Sequence, residues 1–316
     1  MDSNKEIYRQ LCDVETEIPL FMQYWWMQAV CAGKEWDVLL THDADGRVIG
    51  ALPYLYSRRL GMKYVLMPQQ TQIGGLWIPR RLWDDRVVVR NICNDIARQI
   101  DDLHLSYYYQ QYPLASPAGE VMRVFGFKAK ERVTYRIDDI SNLDRVTDAF
   151  SNNKRRQIAK ASDSTVDLSM SADEFYTFHT NSLAEHKKKI SYSHDFFMRL
   201  YAVAAERHQG QIVAVRSSDG YVQAAAFIVW DAASAYYLIP CYAPVYKDSG
   251  ASARLVLECI KFVQDKTQAF DFEGSMHRGT ANHYRQFGSL QTLYYGVQRV
   301  YRPIFRLALF VNRFRH

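Results

Sequence analysis

Apolar and polar positions follow two periods along this chain, one close to 3.6 residues and one close to 2. The stretch from Pro19 to Ala32 (PLFMQYWWMQAVCA) is apolar almost throughout and stops at Gly33, which predicts a buried helix. In WDVLLTHDADGRVIGALPYLYSRR two strand-like runs flank Asp45-Gly46, the pair that favours a tight hairpin turn. A strand over Lys63 to Pro68, a polar loop QQTQIGGLW, a helical stretch from Trp83 to Ile100 and the strand-like LHLSYYYQQY complete the series. Further on, Ala172 to Leu183 and Phe196 to Glu206 read as two amphipathic helices that lead into a second hairpin.

The series recurs about 174 residues on, from Val38 to Ile212, a repeat of domain size and so a duplication. Val38-Leu39-Leu40, Asp45-Gly46 and Val48 align with Ile212-Val213-Ala214, Asp219-Gly220 and Val222. Tyr64 to Pro68 answers to Tyr237 to Pro240, and Arg123-Val124-Phe125-Gly126 to Arg285-Gln286-Phe287-Gly288. Strands alternating with helices predict mixed α/β units, each with helices over a sheet. The boundary is placed near Ile140 to Phe150, giving an N-terminal domain over 1–145, a C-terminal domain over 146–316, and a cleft between them.

Composition narrows the class. The chain of 316 residues is long enough for two cores, and 48% hydrophobic with 23% charged residues is the balance of a folded globular protein. The first twenty residues carry acids and no unbroken apolar run, so neither a secretory signal nor a membrane anchor is read there, and the cytoplasm is expected. Cys12, Cys31, Cys93, Cys241 and Cys259 are odd in number and form no C-x-x-C pair; the nine histidines show no ligand spacing either. No metal is expected. A net charge of +5 favours an anionic substrate without implying nucleic acid.

The candidate chemistry lies between Tyr246 and Gly288. There Lys247, Ser249, Gly250, Ala251 and Ser252 form a loop that opens straight into an apolar helix from about Ala253 to Val263, an arrangement that suits an anion. An ordinary N-cap is the commoner meaning of such a loop. The duplication supplies a control, because chemistry needs to be kept in only one copy. The first half has no glycine in RRLWDDRVVV ahead of its helix, and Met122 stands where the second half has Tyr284. The second half is therefore read as the working copy.

Hairpin, strand, a loop of the form Lys247-x-x-Gly250-x-Ser252, helix, strand, and Tyr284 four residues before Gly288 resemble the GNAT N-acyltransferase fold. Two such halves, with KRRQIAKA opening the second and FDFEGS at its last core strand, resemble the Fem-type aminoacyltransferases. Lys247 stands where an Arg or Gln is usual, Ser252 stands for the small second residue, and the coiled-coil arm of some Fem enzymes is missing. The resemblance implies transfer of an acyl or aminoacyl group, from acyl-CoA as co-substrate or from aminoacyl-tRNA, to an amine on a cell-envelope precursor or amino sugar. Lys247 and the Gly250 loop would hold a donor phosphate. Glu273 would take a proton from the attacking amine, with a surface or capping carboxylate as the plainer alternative. Tyr284 would protonate the leaving group, with a packed core tyrosine as the plainer alternative.

Lys154, Arg155, Arg156 and Lys160 form a basic run that could hold a diphosphate in the cleft, although a solvated helix face is the commoner meaning. The C-terminus sets Ile304, Leu307, Ala308 and Val311 at helical spacing among Arg302, Arg306, Arg313 and Arg315. Such a helix packs on its own domain or lies on an anionic membrane, where a lipid-linked acceptor would follow. A reading of another class is a GNAT-like site that has lost catalysis and binds nucleotide sugar or RNA. The acyl group, the acceptor and the oligomeric state are not encoded legibly.

Overall fold

A computed structural model describes residues 3–274, 278–303 and 305, so the C-terminal amphipathic run from Arg306 on lies outside the described residues. The chain forms two compact units, one from residues up to Arg132 with the C-terminal strand from Leu293, the other Val133–Thr292. The sequence expectation differs: it sets the division about a dozen residues later and leaves the last strand with the second half.

Unit 1 contains α1 (Asn4–Val14), α2 (Tyr24–Val30), β1 (Glu35–His42), β2 (Val48–Arg59), β3 (Met62–Leu66), α3 (Arg86–Asp102), β4 (Tyr107–Gln111) and α4 (Ala118–Val121). The strand β5 (Lys128–Ile137) then carries the chain into unit 2, with α5 (Leu143–Asp148), α6 (Asn152–Lys160), β6 (Thr165–Asp167), α7 (Ala172–Glu185) and α8 (His194–Glu206). It continues through β7 (Gly210–Arg216), β8 (Val222–Trp230), β9 (Ser234–Tyr242), α9 (Ala251–Val263), β10 (Ala269–Asp271) and α10 (Arg278–Arg285), and β11 (Leu290–Val300) returns it to unit 1.

The strands of the two units follow one plan. In unit 1 the antiparallel series β1-β2-β3 is joined to β4 in parallel across α3, and β11 pairs antiparallel with β4. In unit 2 the antiparallel series β6-β7-β8-β9 is joined to β10 in parallel across α9, and β5 pairs antiparallel with β10. Parallel neighbours need a crossover of helix length, and α3 and α9 supply it. The strand that follows each Phe-Gly thus completes the other unit's sheet: β5 follows Phe125-Gly126, and β11 follows Phe287-Gly288. A local pattern of residues does not encode this exchange, and the β5 sequence KAKERVTYRI shows no clean alternation.

Each unit has its own core. α3 buries Val89, Ile92, Cys93, Ile96 and Ile100, the i, i+3, i+4 stripe its sequence predicts. α9 buries Leu255, Val256, Cys259, Ile260 and Val263 against β7 and β8. Removing a Leu or Ile side chain from water contributes roughly 1.5–3 kcal/mol, which sets the scale of these faces. Among the described residues the five cysteines form no disulfide. Between Pro19 and Ala32 the helix is broken: Leu20–Met22 is a 3-10 turn and α2 starts at Tyr24. Gln23 sits extended at the break (ψ 148°), held by side-chain bonds to Ile18 O and Trp25 Nε1.

Candidate active site

β9 and β10 pair over three positions only, Ser234 with Ala269, Ala235 with Phe270, and Tyr236 with Asp271. β9 then runs on to Tyr242, paired among the strands with β8 alone, while Ser182 of α7 donates its hydroxyl to Tyr242 O at 2.7 Å. Where the two strands part, a cavity of about 510 Å³ opens, lined by Tyr237, Pro240 and Tyr242 of β9, by the Gly250 loop, and by His283 and Tyr284 of α10. The space beside Pro240 toward Gly250 is therefore open.

The loop ends at Gly250, the N-cap of α9, with φ +87°, a conformation that glycine adopts at no steric cost. Gly250 has no side chain to cap the helix, whereas in unit 1 the carboxylate of Asp85 accepts from Val87 N and Val88 N at 3.0 Å each. The first copy of the helix start is thus capped by its own carboxylate, and the second has no side-chain carboxylate at its cap. Ser249 is spent locally, since its hydroxyl donates to Tyr246 O (2.8 Å) and accepts from Ala251 N (3.2 Å). Lys247 and Ser252 line the large cavity.

The basic run on α6 divides three ways. Arg156 and Lys160 join Lys247 and Gly250 around a second cavity of about 250 Å³, with Lys160 Nζ donating to Asp248 O at 2.6 Å. Two basic groups that the sequence places apart thus meet at one loop. Arg155 turns away and donates to Asp148 O and Asn152 Oδ1. Lys154 is not on a solvated face: it is 3% exposed and lines the large cavity. Its ammonium donates to Gln157 Oε1 at 3.0 Å and lies 3.1 Å from His283 Nδ1, and burial lowers its pKa to about 8.

The segment His283 to Gly288 begins inside α10, and the chain leaves that helix through Gly288 at φ +72°. Tyr284 stacks on Phe272 (centroids 4.6 Å apart, 24° between planes). Its hydroxyl makes no hydrogen bond among the described residues, while its ring edges the cavity. Burial, with the carboxyls of Glu273 and Asp271 nearby, pushes its phenol up to about 12. So Tyr284 is packed as a core tyrosine and also faces the open space.

Glu273 follows β10 in a left-handed conformation (φ +61°) that is uncommon for a residue with a side chain. The buried carboxyl of Asp271 holds it there, accepting from Glu273 N at 2.7 Å while Thr134 donates its hydroxyl to the same oxygen and Arg136 lies 3.7 Å from the other. Burial and Asp271 push the Glu273 carboxyl well above the usual range, and burial raises Asp271 to about 6. Glu273 is half-buried and is not among the residues lining this cavity. Sequence reasoning missed Asp271, Gln157 and His283. Asp271 alternates with Phe270 and Phe272 in a strand, and that placement of a carboxylate among aromatics was the available signal. Among the described residues no three His, Cys, Asp or Glu side chains gather as a metal site, and no helix is long and apolar enough to cross a membrane.

Residues 148–285 match the family model of the acetyltransferase (GNAT) domain. No curated protein matches the chain by sequence. Among solved structures, FemX is similar over 97% of this chain and 98% of its own, with a TM-score of 0.72 at 12% identity. L-PGS from Bacillus licheniformis is similar over 91% and 95%, with a TM-score of 0.55 at 13% identity. A conserved protein of unknown function from Bacteroides thetaiotaomicron gives 93% and 96%, with a TM-score of 0.62 at 8% identity. At such identities the likeness is one of fold. Residues 148–285 thus carry a GNAT-type domain, and the fold across nearly the whole chain is similar to that of FemX.

Proposed function

We propose that unit 2 transfers an acyl or aminoacyl group from coenzyme A or transfer RNA to an amine, the acceptor being a cell-envelope precursor or amino sugar. The observation that carries this reading is a single cavity shared by an uncapped helix N-terminus and Tyr284. A donor phosphate would sit at the Gly250 loop, where Lys247, Arg156 and Lys160 supply positive charge. The parted edge of β9 leaves main-chain groups along which an extended donor arm can lie.

In the reaction the amine nitrogen attacks the acyl carbonyl carbon, and the bond from that carbon to the donor's sulfur or oxygen breaks. The amine's proton passes through a water to Glu273, which lies outside the cavity lining and whose carboxyl burial and Asp271 hold above the usual range. Tyr284 donates to the leaving atom. Held above its ordinary value by burial, the phenol stays protonated at neutral pH and can serve as the proton donor.

The test is turnover of the wild-type chain with acetyl-CoA, longer acyl-CoAs and charged tRNA, each offered amino sugars and envelope-precursor amines, alongside thermal shifts with each donor. Amide formation with one donor class identifies it. Binding of RNA that weakens steeply with salt, with no turnover from any donor, would instead favour a binding role.

A further inference from the structure

Lys154 and His283 meet in the wall of the large cavity, and the polarity of their contact is fixed by chemistry. A lysine ammonium carries three donors and no acceptor. The 3.1 Å contact from Lys154 Nζ to His283 Nδ1 therefore runs in one direction, with the imidazole lone pair on Nδ1 accepting. A neutral imidazole that accepts at Nδ1 bears its proton on Nε2. A second ring proton is opposed by the adjacent ammonium and by burial, which together lower His283 to about 4. The ring is clamped edge-on against Phe287 (5.4 Å, 68°) and Tyr284 (5.7 Å, 68°). Nε2 makes no hydrogen bond among the described residues, and His283 lines the cavity beside Tyr284.

Such a group is a poor acid and a poor base at neutral pH, but it is a fixed, uncharged hydrogen-bond donor. Acyl transfer needs one where the carbonyl oxygen gains charge. We propose that His283 is a catalytic residue that offers Nε2–H to the acyl carbonyl oxygen as it becomes an oxyanion, and that Lys154 is the positioning residue that holds its tautomer. His283 transfers no proton. The carbonyl electron pair moves onto oxygen when the amine adds and returns when the leaving group departs, and the N–H stabilises the oxygen between the two events. The role rests on the acyl-transfer reading above.

The experiment has two arms on the full-length chain. Histidine-15N labelling with long-range proton–nitrogen correlation reads the tautomer directly, the His283 signals being assigned by their loss in His283→Gln. A single Nε2–H tautomer from pH 5 to 7 is expected, and Lys154→Met should populate both tautomers and raise the ring's titration point. An Nδ1–H tautomer, or titration near the ordinary 6.5, overturns the proposal. The second arm is turnover with the donor that works. His283→Phe should lower kcat about 10²–10³-fold with KM changed less than about threefold, and His283→Gln, which keeps a side-chain N–H, should recover part of it. If both variants keep kcat within about twofold while Tyr284→Phe loses it, the role of His283 fails and the acyl-transfer reading stands. If the wild type is silent with every donor, the reading fails and takes the role with it.

Discussion

The main-chain oxygen of Gln157 lies 2.0 Å from the point that a β-carbon on Gly250 would occupy. The backbone of α6 is thus pressed against the N-terminus of α9, and only glycine fits between them. Gly250→Ala would meet a backbone atom and a φ of +87° together. A loss of about 1–3 kcal/mol in urea unfolding is expected from the strain alone, along with loss of donor binding. Wild-type stability in this variant would mean that the close approach does not exist.

Tyr284 separates stability from chemistry. Its ring stacks on Phe272 and its hydroxyl is not spent inside the fold, so Tyr284→Phe should keep unfolding free energy within about 0.5 kcal/mol. Turnover should fall about 10²–10⁴-fold. Equal turnover in the two proteins would remove Tyr284 from the mechanism.

Lys154 is a buried cation with two neutral hydrogen-bond partners, and its folded pKa of about 8 lies below the ordinary 10.4. Between those values the unfolded chain binds more protons, so this contribution to stability rises with pH from 8 to about 10.4 and is at its worst below 8. Lys154→Met should therefore be more stable than wild type at pH 7, by up to about 3 kcal/mol, and the difference should close toward pH 10. Melting temperatures across that range test the sign. A variant that is both stabilised and slow is the expected pattern for a functional buried charge.

Asp271 shifts the other way. Its folded pKa of about 6 lies above the ordinary 3.9, so the folded state binds the extra proton between these values and stability falls as pH rises from 4 to 6. Asp271→Asn should flatten that slope, and because Asn Oδ1 can still accept from Glu273 N, it should cost less than Asp271→Ala. A slope unchanged in Asp271→Asn would assign the titration to another group, Glu273 being the nearest.

The elements whose pattern is local were legible in the sequence. Asp45-Gly46 and Asp219-Gly220 mark hairpins that form, and the apolar stripes of α3 and α9 face their cores. The contrast between the two helix starts was legible too, since RRLWDDRVVV has no glycine where the second half has Gly250. Burial was not. Lys154 reads as one of four neighbouring cations, and only the tertiary fold sets it apart, three residues from Gln157 in sequence and 129 from His283. His283 carries no signal of its own because its chemistry is set by that distant neighbour. The exchange of β5 and β11 was hidden for the same reason: a strand's sequence states its faces, not its partner.

That exchange makes the order of synthesis matter. β4 has its antiparallel partner only once residues 296–300 have emerged, well after the rest of unit 1. Unit 2, by contrast, holds all of its strands by the time β10 is made. The half that is translated first is therefore the last to close, against the usual N-to-C order of domain folding. An N-terminal piece cut at the apparent domain boundary would leave one edge of β4 bare and prone to pairing with other chains, whereas residues 133–292 keep the pairings of β6 to β10 and of β5 with β10.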